Sequence, residues 1–164
     1  MKNLALRLLV AASLGLLLSG CGQSPPPTAE PASEPAAAEA PALPRSASPD
    51  GASLTILSPE GGDVVSSPVT VQFDLQGMTL APAGDATPNT GHHHLLVDVP
   101  APDLGQVIPK DAQHLHFGQG QATAEIILAP GQHTLQLLLG DGNHVPHNPP
   151  VLSPPITITV QSIP

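Results

Sequence analysis

Apolar and polar residues alternate along much of the chain after residue 53. Val69–Leu75 has an apolar side chain at every second position, and Leu135, Leu137 and Leu139 repeat the pattern further along. A period of two is typical of a strand that buries one face. The pattern predicts seven strands, at residues 54–57, 69–75, 93–99, 114–117, 122–128, 134–140 and 156–160.

The segments between these predicted strands contain turn residues, and no stretch has the 3.6-residue period of a helix. Seven short strands within about 110 residues predict an all-β fold, an immunoglobulin-like Greek-key β-sandwich. The opening Pro59–Val65, followed by Ser67–Val71, resembles bacterial immunoglobulin-like modules. The chain has no Trp and a single Cys, so the Cys and Trp core of antibody domains is absent.

The N-terminus indicates export. Lys2 and Arg7 precede an apolar run at 8–18 that is too short to span a bilayer, and Leu18-Ser19-Gly20-Cys21 follows. This resembles a bacterial lipoprotein signal, which implies that residues 1–20 are removed and that lipidated Cys21 anchors the protein to a membrane. By the same resemblance, Gly22 favours the outer membrane of the cell envelope, facing the periplasm. The alternative is an ordinary secretory signal with an incidental cysteine.

Residues 21–50 are predicted to be a disordered linker, and residues 51–164 the folded domain. The segment from Gly22 to Asp50 holds eight Pro and eight Ala, with Leu43 as its one sizeable apolar side chain. Such a composition buries too little surface to offset the entropy of ordering. The segment is therefore expected to hold the domain away from the membrane.

Net charge excludes one class of partner. Once residues 1–20 are removed, Arg45 and Lys110 are the only bases against thirteen carboxylates, a formal charge of −11. Two basic side chains are too few to bind the phosphates of a nucleic acid, so nucleic acid is not expected as a partner. A protein partner cannot be named from the sequence.

Histidine carries most of the available chemistry, because the chain has no Tyr or Trp and its one thiol is assigned to the anchor. In a seven-strand Greek-key sandwich, the loops after the second, fourth and sixth strands lie at one end. The segments 92–94, 114–116 and 144–147 belong to that end. His133 follows the loop after the fifth strand and is expected at the opposite end.

Strand parity divides the histidines further. Leu95, Val97 and Val99 define the core face of their strand, so His93 points inward while His92 and His94 share the other face. His114 and His116 form a second pair of this kind, on the same sheet as the first pair or on a separate one. The predicted metal ligands are His92, His94, His114, His116, His144 and His147.

Some polar residues are assigned other roles. Asp98 and Asp141 are candidates to orient ligand imidazoles through their carboxylates, or else are solvated residues at strand ends. His93 and His133 are predicted to be structural. All the histidines can also be read as structural, with each ring hydrogen-bonded to a backbone carbonyl.

Four separated motifs resemble the family called domain of unknown function 4399 (DUF4399). They are Gly91–Asp98, His114–Gly118, Pro130–Asp141 and His144–His147, and the likeness runs from about Val69 to Val160. The resemblance implies a small exported domain with histidines in its signature. That signature includes His133, against the topological argument that sets this residue apart.

These observations predict a lipid-anchored β-sandwich that binds a transition metal, copper or zinc, in a periplasmic metal-binding or chaperone role that requires no catalysis. One alternative is an envelope interaction or scaffold module that binds a protein or glycan, with structural histidines. A metalloenzyme is a further alternative, but it would need an open coordination position and a nearby base that the sequence does not identify.

Overall fold

The computed structural model describes residues 41–162. The predicted signal peptide, Cys21 and the linker up to residue 40 lie outside the described residues. Residues 41–50, assigned to the linker from the sequence, lie against the domain: the backbone N–H of Leu43 donates to Gly105 O, and Ala47 forms a bridge with Asn148. Contacts with the domain therefore begin before the expected boundary at 51, although most of residues 41–50 are exposed.

Nine strands form two sheets, and the part of the chain that the structure describes has no helix. The strands are β1 Ser53–Ser58, β2 Val64–Ser66, β3 Val69–Gln76, β4 Thr79–Leu80, β5 Thr90–Val97, β6 His114–Phe117, β7 Thr123–Ile126, β8 Gly131–Gly140 and β9 Ile156–Gln161. The prediction of an all-β fold is confirmed. The two strands that the sequence pattern missed, β2 and β4, have only three and two residues.

The first sheet has the order β1-β3-β7, and the second has the order β2-β9-β8-β5-β4 with β6 also paired to β5. One sheet thus holds the first, second and fifth predicted strands, which are β1, β3 and β7. It packs against the sheet that holds the third, sixth and seventh, which are β5, β8 and β9. This is the arrangement of immunoglobulin-like sandwiches. Both β4 and β6 pair with β5, β4 at Thr90–Gly91 and β6 at His93–Leu96. The two His-x-His segments are therefore neighbours in one sheet.

The main core lies between the sheets and is built from the alternating apolar positions. Leu54, Val71 and Phe73 of the first sheet pack against a set from β5, β8 and β9 that comprises Leu95, Val97, Leu135, Leu137, Leu139, Ile158 and Val160. Leu115 and Phe117 of β6 also pack against this core, which explains why β6 stays beside β5. Alternation in the sequence thus identified the inward face correctly for Leu95 and Val97. It was wrong for Val99, which follows the end of β5 and packs against a separate apolar cluster with Leu96.

A second, smaller apolar cluster covers the outer face of the second sheet. Leu96 and Leu138 pack there with Ile108, and Leu152 lies against them. Ile108 and Leu152 come from the long segments that join β5 to β6 and β8 to β9. Because these segments cover the outer face, all eight residues of β5 are buried.

Candidate functional site

β5 places two histidines on the outer face of the second sheet and one in the core. His92 and His94 alternate with His93, which points inward and lies beside the Phe73 ring, with ring centroids 4.9 Å apart. The Nδ1–H of His93 donates to Gln121 O at 2.9 Å. His93 therefore belongs to the core, and His92 and His94 form the base of a separate site on the outer face.

β6 brings a third imidazole to this base. In the antiparallel register His116 lies directly opposite His94. The His116 ring centroid is 5.1 Å from that of His94 and 5.0 Å from that of His92, while the rings of His92 and His94 are 4.8 Å apart. Pairing between the two strands thus converts two separated sequence motifs into one triad.

The loop after β8 supplies a fourth imidazole, His144. Its Nε2 lies 3.1 Å from His116 Nε2, close enough for one ring N–H to donate to the other, and its ring centroid is 4.8 Å from that of His92. His144 has a φ of 64°, in the left-handed region that side chains other than glycine rarely adopt. We call His92, His94, His116 and His144 the imidazole cluster.

The base of the imidazole cluster is buried and its rim is not. His92 and His94 are 0% and 1% exposed, whereas His116 and His144 are half-buried. Neither ring nitrogen of His92 has a hydrogen-bond partner, and neither does Nδ1 of His94. A buried polar atom without a partner costs about 1–3 kcal/mol. Three such nitrogens therefore lie in the base of one site.

The absence of a side chain at Gly118 and Gly140 leaves room for the rings of His116 and His94. A Cβ on Gly118 would lie 2.5 Å from Nε2 of His116, and a Cβ on Gly140 would lie 2.7 Å from Cε1 of His94. Neither glycine has a positive φ, so backbone conformation does not require glycine at these positions. Sequence reasoning assigned no role in the site to either residue, because only the register of β5 with its neighbours brings the rings beside them.

The surroundings hold the imidazoles of His92, His94 and His116 in their neutral form. Burial first, and then the neighbouring rings of His144 and His116, lower the pKa of His92 to about 4. Burial and the same kind of neighbours lower the pKa of His94 to about 2. The pKa of His116 is also lowered, by burial, by His144 and by Lys110. These rings therefore present lone pairs, the form in which imidazole binds a metal.

The geometry suits a metal ion. One ligand atom from each of His92, His94 and His116 can be chosen so that all three lie within 4.8 Å of one another. Ligand nitrogens around a tetrahedral ion, each about 2.0–2.1 Å from it, are separated by roughly 3.4 Å. The 3.1 Å between the Nε2 atoms of His116 and His144 is near that separation. The triad could hold a metal ion, with His144 placed beside it.

Two predicted ligands lie outside the imidazole cluster. His114 lies two residues before His116 on β6, opposite Leu96, and its Nδ1–H donates to Asp111 at 2.9 Å. His147 is buried, and its Nε2–H donates to Thr90 O at 3.1 Å. The structure thus brings together four of the six predicted ligands and places the other two elsewhere.

His133 lies near the start of β8, and the imidazole cluster lies beside the end of that strand. Its Nδ1–H donates to Asp98 at 2.7 Å and its Nε2–H to Ala129 O at 2.8 Å. Burial alone would lower the pKa of His133, but these hydrogen bonds and the Asp98 charge raise it above its usual value. Asp98 therefore orients His133 and contacts none of the clustered rings.

Asp141 does not orient a ligand ring directly, in contrast to the role considered from the sequence. One carboxylate oxygen accepts the backbone N–H groups of Asn143 at 2.8 Å and Val145 at 3.0 Å. The other accepts the Ser46 hydroxyl at 2.7 Å. Asp141 therefore shapes the loop that carries His144 and ties it to the N-terminal segment, a contact that no local sequence signal indicates.

Within residues 41–162, no helix is long and apolar enough to cross a membrane. The family model described as "Domain of unknown function (DUF4399)" matches residues 71–161, which include the whole imidazole cluster. Neither a curated protein nor a solved structure significantly matches the chain.

Proposed function

Since the chain belongs to the DUF4399 family, whose description names no activity, we propose a function from the site itself: the domain binds a divalent transition-metal ion. The ligands are His92, His94 and His116, with His144 as the fourth. The observation that carries this proposal is the group of three unpartnered nitrogens on His92 and His94, buried where two further imidazoles converge. A bound ion would satisfy nitrogens that the protein leaves without partners.

The donor set favours copper or zinc. All four proposed donors are imidazole nitrogens, whereas Ca²⁺ and Mg²⁺ prefer oxygen ligands. Imidazole suits Cu(II), Zn and Ni, and the usual order of affinities places copper first. The half-buried rim, His116 and His144, would let the ion enter and leave without unfolding the base. This arrangement supports a metal-binding or metal-chaperone role without a catalytic step.

Direct binding measurements test this proposal. Isothermal titration of untagged protein at pH 7 should show one Cu(II) or Zn(II) ion per chain, and elemental analysis should find the same ratio after desalting. His116→Ala and His144→Ala should each weaken binding at least about tenfold, or 1.4 kcal/mol. His114→Ala and His133→Ala are matched controls outside the cluster and should bind like the wild type. No heat and no retained metal with the wild type would reject the proposal.

We further propose that the protein acts in the bacterial cell envelope, anchored through lipidated Cys21 and facing the periplasm. The support is the Leu18–Cys21 motif after a short apolar run. Cys21→Ala should move the protein from the membrane fraction to the soluble fraction. Mass spectrometry of the mature wild-type protein should find a lipid on an N-terminal Cys21. An unmodified Cys21 inside a longer chain would reject the anchor.

A further inference from the structure

A short N-terminal segment, residues 45–48, lies along residues 146–149 of the chain; we call it the strap. Arg45 Nε donates to Pro146 O at 2.9 Å, and its guanidinium also donates to His147 O. The backbone of the strap pairs with Asn148, whose N–H donates to Ser46 O at 2.9 Å. The strap therefore docks on the chain that directly follows His144.

Asp141 connects the strap to the loop of His144. Its carboxylate accepts the Ser46 hydroxyl from one side and two backbone N–H groups of the loop from the other. Asp141 is 3% exposed but Ser46 is exposed, so the hydrogen bond between them is only partly shielded from water. Burial would raise the pKa of this carboxyl, but the hydrogen bonds from Ser46, Val145 and Asn143 bring it below its usual value.

His144 depends on this support. Its left-handed backbone, with a φ of 64°, costs about 1–2 kcal/mol for a residue other than glycine and must be held by its surroundings. Besides the contacts of the Asp141 carboxylate, backbone hydrogen bonds hold the loop: the Ile108 N–H donates to His144 O at 2.8 Å, and the His144 N–H donates to Asp141 O at 2.9 Å. Loss of the Asp141 contacts would free the loop to move the His144 ring away from His116.

We infer that Ser46 and Asp141 are positioning residues for the fourth metal ligand, and that metal binding and docking of the strap stabilise each other. The inference rests on the proposed metal-binding function. Docking of the strap fixes Asp141, which fixes the loop and places His144 at the ion. By linkage, a bound ion that holds His144 must strengthen the strap contacts by the same factor.

A double-mutant cycle tests the positioning role. Ser46→Ala should lower the Zn(II) affinity roughly fivefold, the lower range for coupled sites. His144→Ala lowers it further, but Ser46→Ala added to His144→Ala should have no additional effect. Ser66→Ala is the matched control, because its hydroxyl accepts from Gln161 Nε2 on the β2–β9 edge of the second sheet.

Co(II) substitution shows which ligand is affected. The visible absorption of the Co(II) protein should change in Ser46→Ala toward that of His144→Ala. Asp141→Asn, which keeps one of the two acceptor oxygens, should change less than Asp141→Ala. Affinity and spectrum unchanged in Ser46→Ala, or equal effects of Ser46→Ala with and without His144, would overturn the inference. Absence of metal binding by the wild type would instead overturn the proposed function.

Trypsin measures the reciprocal effect. Arg45 and Lys110 are the only bases after residue 20, and cleavage after Arg45 requires the strap to leave the domain. Saturating Zn(II) should slow cleavage at Arg45 roughly fivefold in the wild type and leave it unchanged in His144→Ala. A chromogenic arginine amide in the same buffer corrects for any effect of zinc on the protease. Equal slowing in both proteins would contradict the linkage.

Discussion

The two ends of β8 hold histidines in opposite environments. Near its start, His133 donates from both ring nitrogens, to Asp98 and to Ala129 O, and its pKa is raised. Beside its end, His92 and His94 are buried with unpartnered nitrogens, and their pKa values are lowered. Among the described residues, carboxylates are hydrogen-bonded to His114 and His133 but to no ring of the imidazole cluster.

His133 has both ring nitrogens hydrogen-bonded within the fold, whereas His92 and His94 have ring nitrogens without partners. The environment of His133 stabilises the charged ring with an anion and a carbonyl, so no ligand is needed. The environment of His92 and His94 stabilises the neutral rings and leaves three of their nitrogens without partners, at a cost in folding free energy. Four predictions test this comparison, in order of decreasing effect.

The largest effect concerns metal-dependent stability. At 1,000 times the dissociation constant, an ion that binds only the native state adds about 4 kcal/mol to the free energy of unfolding. Thermal unfolding at pH 7 should therefore show a large rise in midpoint with Cu(II) or Zn(II). The rise should disappear in His92→Ala with His94→Ala. It should persist in His133→Ala, and its loss there would contradict the comparison.

Acid should destabilise the metal-free domain through His92 and His94. Both rings stay neutral in the native state, with pKa values of about 4 and about 2, but titrate near 6.5 when unfolded. Between pH 6.5 and 5 only the unfolded chain binds these protons, so the free energy of unfolding falls as pH falls. The loss is about 2 kcal/mol for each ring, or about 4 kcal/mol together.

Urea unfolding at pH 7 and 5 measures this loss, and His92→Leu should show about half of it. His133 works in the opposite direction, because Asp98 stabilises its charged form: its contribution is present below the unfolded pKa and is lost as pH rises through the raised one. An equal free energy of unfolding at pH 5 and pH 7 would contradict the proposed difference between His133 and the buried pair His92 and His94. Because their pKa values are lowered, His92 and His94 are protonated, and so lose metal binding, at a lower pH than unperturbed imidazoles, which titrate near 6.5.

Removing unpartnered nitrogens should stabilise the metal-free domain. His92→Leu replaces a ring whose two nitrogens lack partners with an apolar side chain, and should raise the free energy of unfolding at pH 7 by about 1–3 kcal/mol. The same variant should lose metal binding. Urea unfolding of the metal-free protein measures the gain, and a loss of similar size would show that the His92 nitrogens are satisfied in solution.

The smallest effect belongs to the partnered histidine. His133→Leu removes hydrogen bonds to Ala129 and to Asp98, whose side chain is 41% exposed, so the cost should be at most about 1 kcal/mol. Its sign is opposite to that of His92→Leu. Metal affinity should match the wild type, since His133 lies outside the cluster. Urea unfolding and metal titration of both His92→Leu and His133→Leu therefore test the comparison most directly.

The sequence by itself determined the seven longer strands, the inward face of those with alternating apolar residues, and the histidines that share a face. These features follow from the two-residue period of a strand, which is local and holds wherever the strand packs. Parity therefore separated His93 from His92 and His94 correctly. It could not separate His114 from His116, which have the same parity but face different neighbours.

Tertiary structure alone decided what surrounds those faces. Pairing of β6 with β5, burial of the outer face by Ile108 and the contact from Ser46 to Asp141 join residues distant in the sequence. Gly118 and Gly140 gained their roles only when the strands brought His116 and His94 beside them. Such contacts depend on the free energy of the whole packed domain, so no local period encodes them.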